Sequence, residues 1–360
     1  MARRRNPYIF VRKRTHPVRR VLLTAAVFFA VGLGMLMAYN YLLLGNVQLS
    51  THRVTVADLP SDLENFSILH LSDLHGVTMG EGMSRLQRAI GEQSYSCVVM
   101  TGDMVGVKGD VQPLLDVLAA MPRGAPVFIL PGDEDPAYLQ DTAQGTSSPY
   151  AAWAEAVTRL GAVLLDEPYL ITRGRNDRSR LWLIPEDLYS LDLSQLESVY
   201  SAQLKELNGY LALTPDQEAR RRVAAYQVER ARHVREKLKD VREGDVQIVV
   251  SHTPLTEDFM TEVIPWSSRQ DIVSLRQASL ILAGHYCGGQ WRLPGKGAVY
   301  VPELGWWPDD GEVTGWGFVY GIPQHISAGL GPAAFYPWWE SFRFLNPPDV
   351  TRVVLTSRMY

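Results

Sequence analysis

Five short apolar runs, each closed by a small polar signature, constrain this chain more than any other feature. Ile68-Leu69-His70-Leu71 runs into Ser72-Asp73-Leu74-His75, and Cys97-Val98-Val99-Met100 into Thr101-Gly102-Asp103. Val127-Phe128-Ile129-Leu130 leads to Pro131-Gly132-Asp133-Glu134-Asp135. Further on, Val246-Gln247-Ile248-Val249-Val250 precedes Ser251-His252-Thr253-Pro254. Leu280-Ile281-Leu282-Ala283 precedes Gly284-His285-Tyr286-Cys287-Gly288-Gly289. Nearly continuous apolar runs of this length predict strands buried on both faces. Spacers of about thirty residues between the first three suit crossover helices over 84–90 and 111–120. The pattern predicts an α/β fold in which every polar signature falls at the carboxyl end of a strand, where open sheets place their ligands.

Taken singly, each signature says little. A lone Gly-Asp is usually a turn, and a single histidine after a strand is more often a hydrogen-bonded structural residue. In fixed order along one sheet edge they gather carboxylates and imidazoles that repel one another unless a cation lies among them. Mixed oxygen and nitrogen donors suit Mn, Fe or Zn. Two such ions a few ångströms apart bind phosphate, generate hydroxide at neutral pH and stabilise an in-line displacement.

The set resembles the calcineurin-like metallophosphoesterase superfamily, whose pattern is Asp-x-His, Gly-Asp, Gly-Asn-His-Asp/Glu, His and Gly-His-x-His. The resemblance runs from about Ser67 to the C-terminus. Gly288-Gly289-Gln290, Ala328-Gly329-Leu330-Gly331 and Asn346-Pro347-Pro348-Asp349 resemble its bacterial membrane-anchored branch, related to UDP-diacylglucosamine pyrophosphatases. What the resemblance implies is a β-sandwich flanked by helices, with two divalent metal ions (Zn, Fe or Mn) at one edge. Carried over residue by residue, it implies that Asp73 and His75 hold the first metal, Asp103 bridges both, and His252 and His285 take remaining positions. Three positions depart from the family. Asp133 stands where the family has Asn, Glu134 where it has the catalytic His, and Cys287 where it has the last His. Asp133 still offers an oxygen ligand, and a Cys287 thiolate favours Zn or Fe over Mn or Mg. Glu134, in the catalytic position, donates a proton only where burial or neighbouring carboxylates keep it protonated, and Asp133 and Asp135 flank it. Otherwise its charge repels phosphate.

Two functional classes follow. One is a metal-dependent phosphoesterase that hydrolyses a phosphoester or pyrophosphate of a lipid-linked or envelope substrate. The other is a catalytically weak or inactive relative that binds a phosphorylated ligand or a partner protein. Glu134 and Cys287 discriminate them, because a binding module tolerates such changes more readily than a phosphatase.

The N-terminus is a separate matter. Val21–Leu44 is 24 residues without a charge, spanning roughly 36 Å against a hydrocarbon core of about 30 Å. Arg12, Lys13, Arg14, Arg19 and Arg20 precede it. The positive-inside rule makes residues 1–20 a cytoplasmic tail, 21–44 a single transmembrane anchor in the cell membrane, and the remainder extracytoplasmic. A cleaved signal peptide is the rival, although its apolar region is usually about 7–15 residues; Arg19-Arg20 as a twin-arginine signal is weaker still. Eight of the 35 basic residues lie in 1–44, leaving 27 against 39 acidic ones, a net of −12. A body so acidic is a poor partner for nucleic acid.

Residues 45–65 read as a linker and lead-in strand broken by Pro60, and 66–360 as the metallophosphoesterase domain. Within it, 190–243 predicts two helices. Thr214-Pro215-Asp216-Gln217 carries the cap, proline and glutamine of a helix start. Ala224, Val228, Ala231, Val234, Leu238 and Val241 then form a narrow apolar stripe. That insertion reads as a hairpin packed on the surface, a cap over the site, or a self-association contact. Cys97 reads as core and is too far from Cys287 to pair with it if Cys287 lies near Asp103. His70, within a strand, reads as structural, while His16, His52, His233 and His325 lie outside the signatures. Trp306, Trp307, Trp316, Trp338 and Trp339 crowd the C-terminal third as core, apolar lip or membrane-interface residues.

Overall fold

The computed structural model describes residues 17–143, 147–174, 177–267 and 274–358. Arg12, Lys13, Arg14 and His16 lie outside the described residues. The chain divides into two units, residues 1–43 and 44–360. Helix α1 (Pro17–Leu44) begins four residues before the uncharged run and is long and apolar enough to cross a membrane, a length that a signal sequence also reaches.

In the second unit the chain runs through β1 (Gln48–Thr55), β2 (Ser67–Leu71), α2 (Ser84–Ile90), β3 (Cys97–Met100), α3 (Gln112–Ala120), β4 (Val127–Ile129), α4 (Ala152–Arg159) and β5 (Val163–Leu164). It continues through β6 (Tyr169–Arg173), β7 (Ser179–Pro185), α5 (Leu193–Leu207), α6 (Pro215–Asp240), β8 (Val246–Val250), α7 (Glu257–Ser267) and β9 (Ala278–Ala283). Two small hairpins follow: β10 (Arg292–Leu293) with β11 (Gly297–Ala298), and β12 (Tyr300–Val301) with β13 (Gly305–Trp306). The chain closes with α8 (Asp310–Val313), β14 (Gly315–Val319), β15 (Ile322–Ile326) and β16 (Asp349–Thr356).

Two six-stranded mixed sheets result, ordered β1-β16-β2-β3-β4-β5 and β14-β15-β9-β8-β7-β6. All five apolar runs are strands. Their side chains alternate between two buried faces, which is why the runs lack polar alternation. Ile68, Cys97, Val99 and Phe128 of the first sheet meet Leu183, Ile248, Val250 and Leu282 of the second in the sandwich core. Leu69, Val98 and Met100 face outward against Leu86 of α2, Leu114 and Val117 of α3, and Trp153 of α4. Trp182, Val249 and Ile281 cover the other outer face together with Val234 of α6 and Met260 of α7. The architecture is an α/β sandwich of two mixed sheets flanked by helices, and Cys97 is core as expected. Both cysteines are free.

Over 190–243 the two expected helices form. Asp192 caps α5 by accepting from the Ser194 and Gln195 amides, and Thr214 with Gln217 completes a reciprocal capping box on α6. The apolar stripe is buried, Leu238 only partly. Arg230, only 6% exposed, donates to the Asp166 carbonyl at 2.7 Å and to Asp187 Oδ2 at 3.1 Å. Tyr226 donates to Asp166, and Lys237 pairs with Glu167 at 2.7 Å. The pair is therefore held to the rest of the domain by ion pairs as well as by its stripe.

Candidate active site

The signatures meet because β2, β3 and β4 are parallel in one sheet, β8 and β9 in the other, and their carboxyl ends come together. Asp73 and His75 follow β2, Asp103 follows β3, Asp133 and Glu134 follow β4, and His252 and His285 follow β8 and β9. Contacts across the sandwich fix this edge. His252 Nδ1 donates to the Thr101 carbonyl at 2.7 Å, and the His285 amide donates to Asp73 Oδ1 at 3.0 Å. Asp73, His75, Asp103, His285 and Cys287 all hold positive φ, between 48° and 79°. Non-glycine residues rarely adopt this conformation, and where several do so together the surrounding structure is imposing a functional geometry. The turns also need real glycines. A Cβ on Gly102 would lie 2.4 Å from His252 Nδ1, and one on Gly132 2.2 Å from Asp103 Oδ1.

Donor atoms form two groups that share an edge. Asp103, Asp133, His252 and His285 converge within 4.8 Å, as do Asp73, His75 and Cys287, and a third set joins His75, Asp103 and Glu134. Asp103 links them: its Oδ2 is 3.3 Å from His252 Nε2 and 3.8 Å from His75 Nε2. Cys287 Sγ lies 3.4 Å from His75 Nε2. In the other group Asp133 Oδ1 is 2.7 Å from His252 Nε2 and 3.5 Å from His285 Nδ1. Because a carbonyl only accepts, His252 carries a proton on Nδ1, which leaves Nε2 as the atom free to ligate once a cation replaces the proton it now shares with Asp133.

These donors fit cations. Asp103 is fully buried, and its Oδ2 has no hydrogen-bond partner although the imidazoles of His252 and His75 stand on either side of it. Such an orphaned charge is costly unless a cation compensates it. Without one, the acids distort the neighbouring titrations. Burial would lower the His285 imidazole, yet the neighbouring carboxylates of Asp133 and Glu303 raise it to about 9. Hydrogen bonds from His252 and His285 hold Asp133 well below the usual carboxylate range. Burial, then the charge of Asp73, pushes the Cys287 thiol well above its ordinary value.

The neighbours of Glu134 differ from the sequence expectation. Asp133 turns to the two histidines. Asp135 accepts from the amides of Met104, Val105, Gly106 and Gly132 at 2.7–3.3 Å, tying the loops after β3 and β4 together. Glu134 goes a third way: Oε1 accepts from the Phe335 amide at 3.1 Å, and Oε2 lies 3.1 Å from His75 Nδ1 without a formed hydrogen bond. The flanking carboxylates are adjacent in sequence and divergent in space.

Several residues at the site carried no sequence signal. Glu303 Oε1 stands 3.7 Å from His285 Nε2, and the Phe335 ring stacks on His285 at 5.4 Å. Arg343, buried, donates to the carbonyls of Ala328, Gly331, Asn346 and Pro347, while Asn346 Nδ2 donates to the Cys287 carbonyl at 2.8 Å. The tail segments did resemble a family pattern, but only the structure shows that they brace Asp73 and Cys287.

The calcineurin-like phosphoesterase family model matches residues 66–288, well over half of the chain. The chain belongs to this family of phosphoric ester hydrolases. Among solved structures it is similar to the phosphopantetheinyl hydrolase PptH from Mycobacterium tuberculosis, at 16% identity over 75% of this chain and 91% of that one, with a TM-score of 0.36. It is also similar to the calcineurin-like phosphoesterase YfkN from Bacillus subtilis, at 12% identity over 74% and 82%, with a TM-score of 0.30. No curated protein matches it in sequence. Family membership accounts for the Asp-x-His, Gly-Asp and Gly-His signatures. It leaves Asp133, Glu134 and Cys287 as features of this calcineurin-like chain itself.

Proposed function

We propose that the chain is a membrane-anchored, metal-dependent phosphoesterase acting on a phosphoester or pyrophosphate in a lipid-linked or envelope substrate. In this reading α1 is the anchor, the N-terminus is cytoplasmic and the sandwich lies outside the cytoplasm. The observation that supports it best is the Asp103 Oδ2 atom, buried without a hydrogen bond between two converging donor groups. Asp73, His75, Asp103 and Cys287 would hold one divalent ion, and Asp103, Asp133, His252 and His285 a second. Bound there, such ions supply Lewis acidity toward a phosphoryl group and toward water. The protein does the remainder. Asp103 is fixed by the Glu134 amide, which donates to Oδ1 at 2.9 Å and leaves Oδ2 to be shared. Thr101 sets the His252 tautomer. Glu134 is held at Oε1 by Phe335, so Oε2 is the atom left to hold or deliver a proton.

A second reading, a binding module, is favoured by one observation. Glu134 Oε2 faces His75 rather than open space, as a carboxylate does when it only orients a ligand. The test strips purified full-length protein of metal and reloads it with Zn, Fe, Mn or Mg. Bound metal is then counted, and phosphodiesters, phosphomonoesters and pyrophosphates are assayed. The expected outcome is two ions per chain, turnover with Zn or Fe, and a Cys287→Ser variant whose Zn affinity falls about tenfold or more relative to Mn. Metal retention with no turnover on any substrate would establish the binding module instead.

A further inference from the structure

Only Gly45, Asn46 and Val47 separate the end of α1 from the start of β1. Fully extended, three residues reach about 10 Å. Strand register shows where this tether enters the sandwich. Gln48 pairs with Asp349 at the start of β16, and β16 runs antiparallel to β2 with Thr351 opposite His70. The first residue of β1 therefore lies level with the carboxyl end of β2, where Asp73 and His75 stand. The Asp349 amide donates to the Gly329 carbonyl, and a Cβ on Gly329 would lie 2.8 Å from Asp73 Cβ. The chain thus enters at the metal edge, not at the opposite one.

The same edge carries exposed aromatics. Glu303, beside His285, lies in the turn between β12 and β13, which is followed by Trp306 and Trp307, 62% and 55% exposed. The segment that stacks Phe335 on His285 goes on to Trp338, 87% exposed, and to Phe342. Trp306 stacks on Trp339 at 6.0 Å and 8°, which joins the two segments into one surface. Large exposed aromatics grouped on one patch mark an interaction site, and tryptophan favours the bilayer interface.

We propose that this aromatic rim rests in the headgroup layer of the bilayer that holds α1, turning the metal edge toward the membrane and toward a phosphoester carried by a bilayer-resident amphiphile. The inference rests on the anchor reading above and deepens it. A tether of about 10 Å on the catalytic edge leaves that edge little distance from the lipid. The phosphate of an amphiphile lies at the same headgroup level. With a net charge of −12 after residue 44, attraction to anionic lipid does not supply the contact, so tether and aromatics must.

The test uses the full chain in nanodiscs of phosphatidylcholine and phosphatidylglycerol, with acyl chains brominated or not. All nine tryptophans lie beyond residue 44, so α1 contributes no emission. Brominated lipid should quench tryptophan fluorescence. Trp307→Ser with Trp338→Ser should remove roughly half of that quenching or more, the fraction expected if the interfacial rings carry it, while circular dichroism and turnover of a soluble phosphodiester stay unchanged. A chain that does not co-elute with the discs overturns the anchor and this proposal with it, while soluble-substrate turnover still reports the phosphoesterase separately. Co-elution without quenching, or with quenching that both substitutions leave intact, overturns the orientation alone.

Discussion

Asp103 and Glu134 are neighbours in space that sequence could not relate. Asp103 was legible because a carboxylate after Gly102 at a strand end fits a recurrent signature. The environment of Glu134 was not, because the consecutive acids 133–135 give no hint that each side chain takes a different partner. The contact with His75 gives Glu134 two separable roles. If it delivers a proton, Glu134→Gln should lower turnover by about 10²–10⁴-fold and remove one limb of the pH–rate profile. Metal content would then stay constant. If it only orients His75, the glutamine keeps an acceptor oxygen and turnover should fall far less, with metal lost from the His75 group. We expect the first outcome. Parallel elemental analysis and pH–rate profiles of wild type and variant check it.

At the scale of elements, helix α6 was legible because capping box and apolar stripe are local signals. Its buried Arg230 was not, since an arginine on a charged helix reads as solvated until Asp166 and Asp187 are seen beneath it. The pairing of β1 with β16 was hidden for another reason: the partners lie about three hundred residues apart, and no periodicity records such a register. This pairing carries its own titration. Asp349 accepts from Ser50 Oγ at 2.8 Å and Thr351 Oγ1 at 3.1 Å. Burial nevertheless raises its carboxyl from 3.8 to about 6 against those bonds and the charge of Arg343. The folded value exceeds the unfolded one, so the folded chain keeps a proton that the unfolded chain releases. That stabilisation is complete below about pH 4 and is lost as pH rises through about 6, by up to roughly 3 kcal/mol. Asp349→Asn cannot lose it. Urea denaturation across pH 4–7 should show wild type losing stability relative to the variant as pH rises. Parallel pH dependences would refute this origin.

For the whole molecule, the family match and the folding unit have different limits. The match covers residues 66–288 and contains every candidate ligand of the five signatures. It omits β1 and every strand from β10 to β16. Yet β16 lies between β1 and β2 in one sheet, and β15 flanks β9 in the other. Val350, Val353, Val354 and Leu355 of β16 are buried. At about 1.5–3 kcal/mol per side chain, their burial is comparable to the whole stability of a typical domain. The segment before β16 also braces the site, through the Gly331 amide on the Asp73 carbonyl, Arg343 on the surrounding carbonyls and Asn346 on Cys287. A fragment of residues 66–288 should therefore lack cooperative thermal unfolding by circular dichroism and should not retain metal. Residues 45–360 should unfold in one transition, because the sandwich core draws on both sheets and β1 pairs with the last strand. Cooperative unfolding of 66–288 would show that β16 only decorates the sheet. Two separated transitions in 45–360 would show that the two sheets hold together less tightly than their shared core implies.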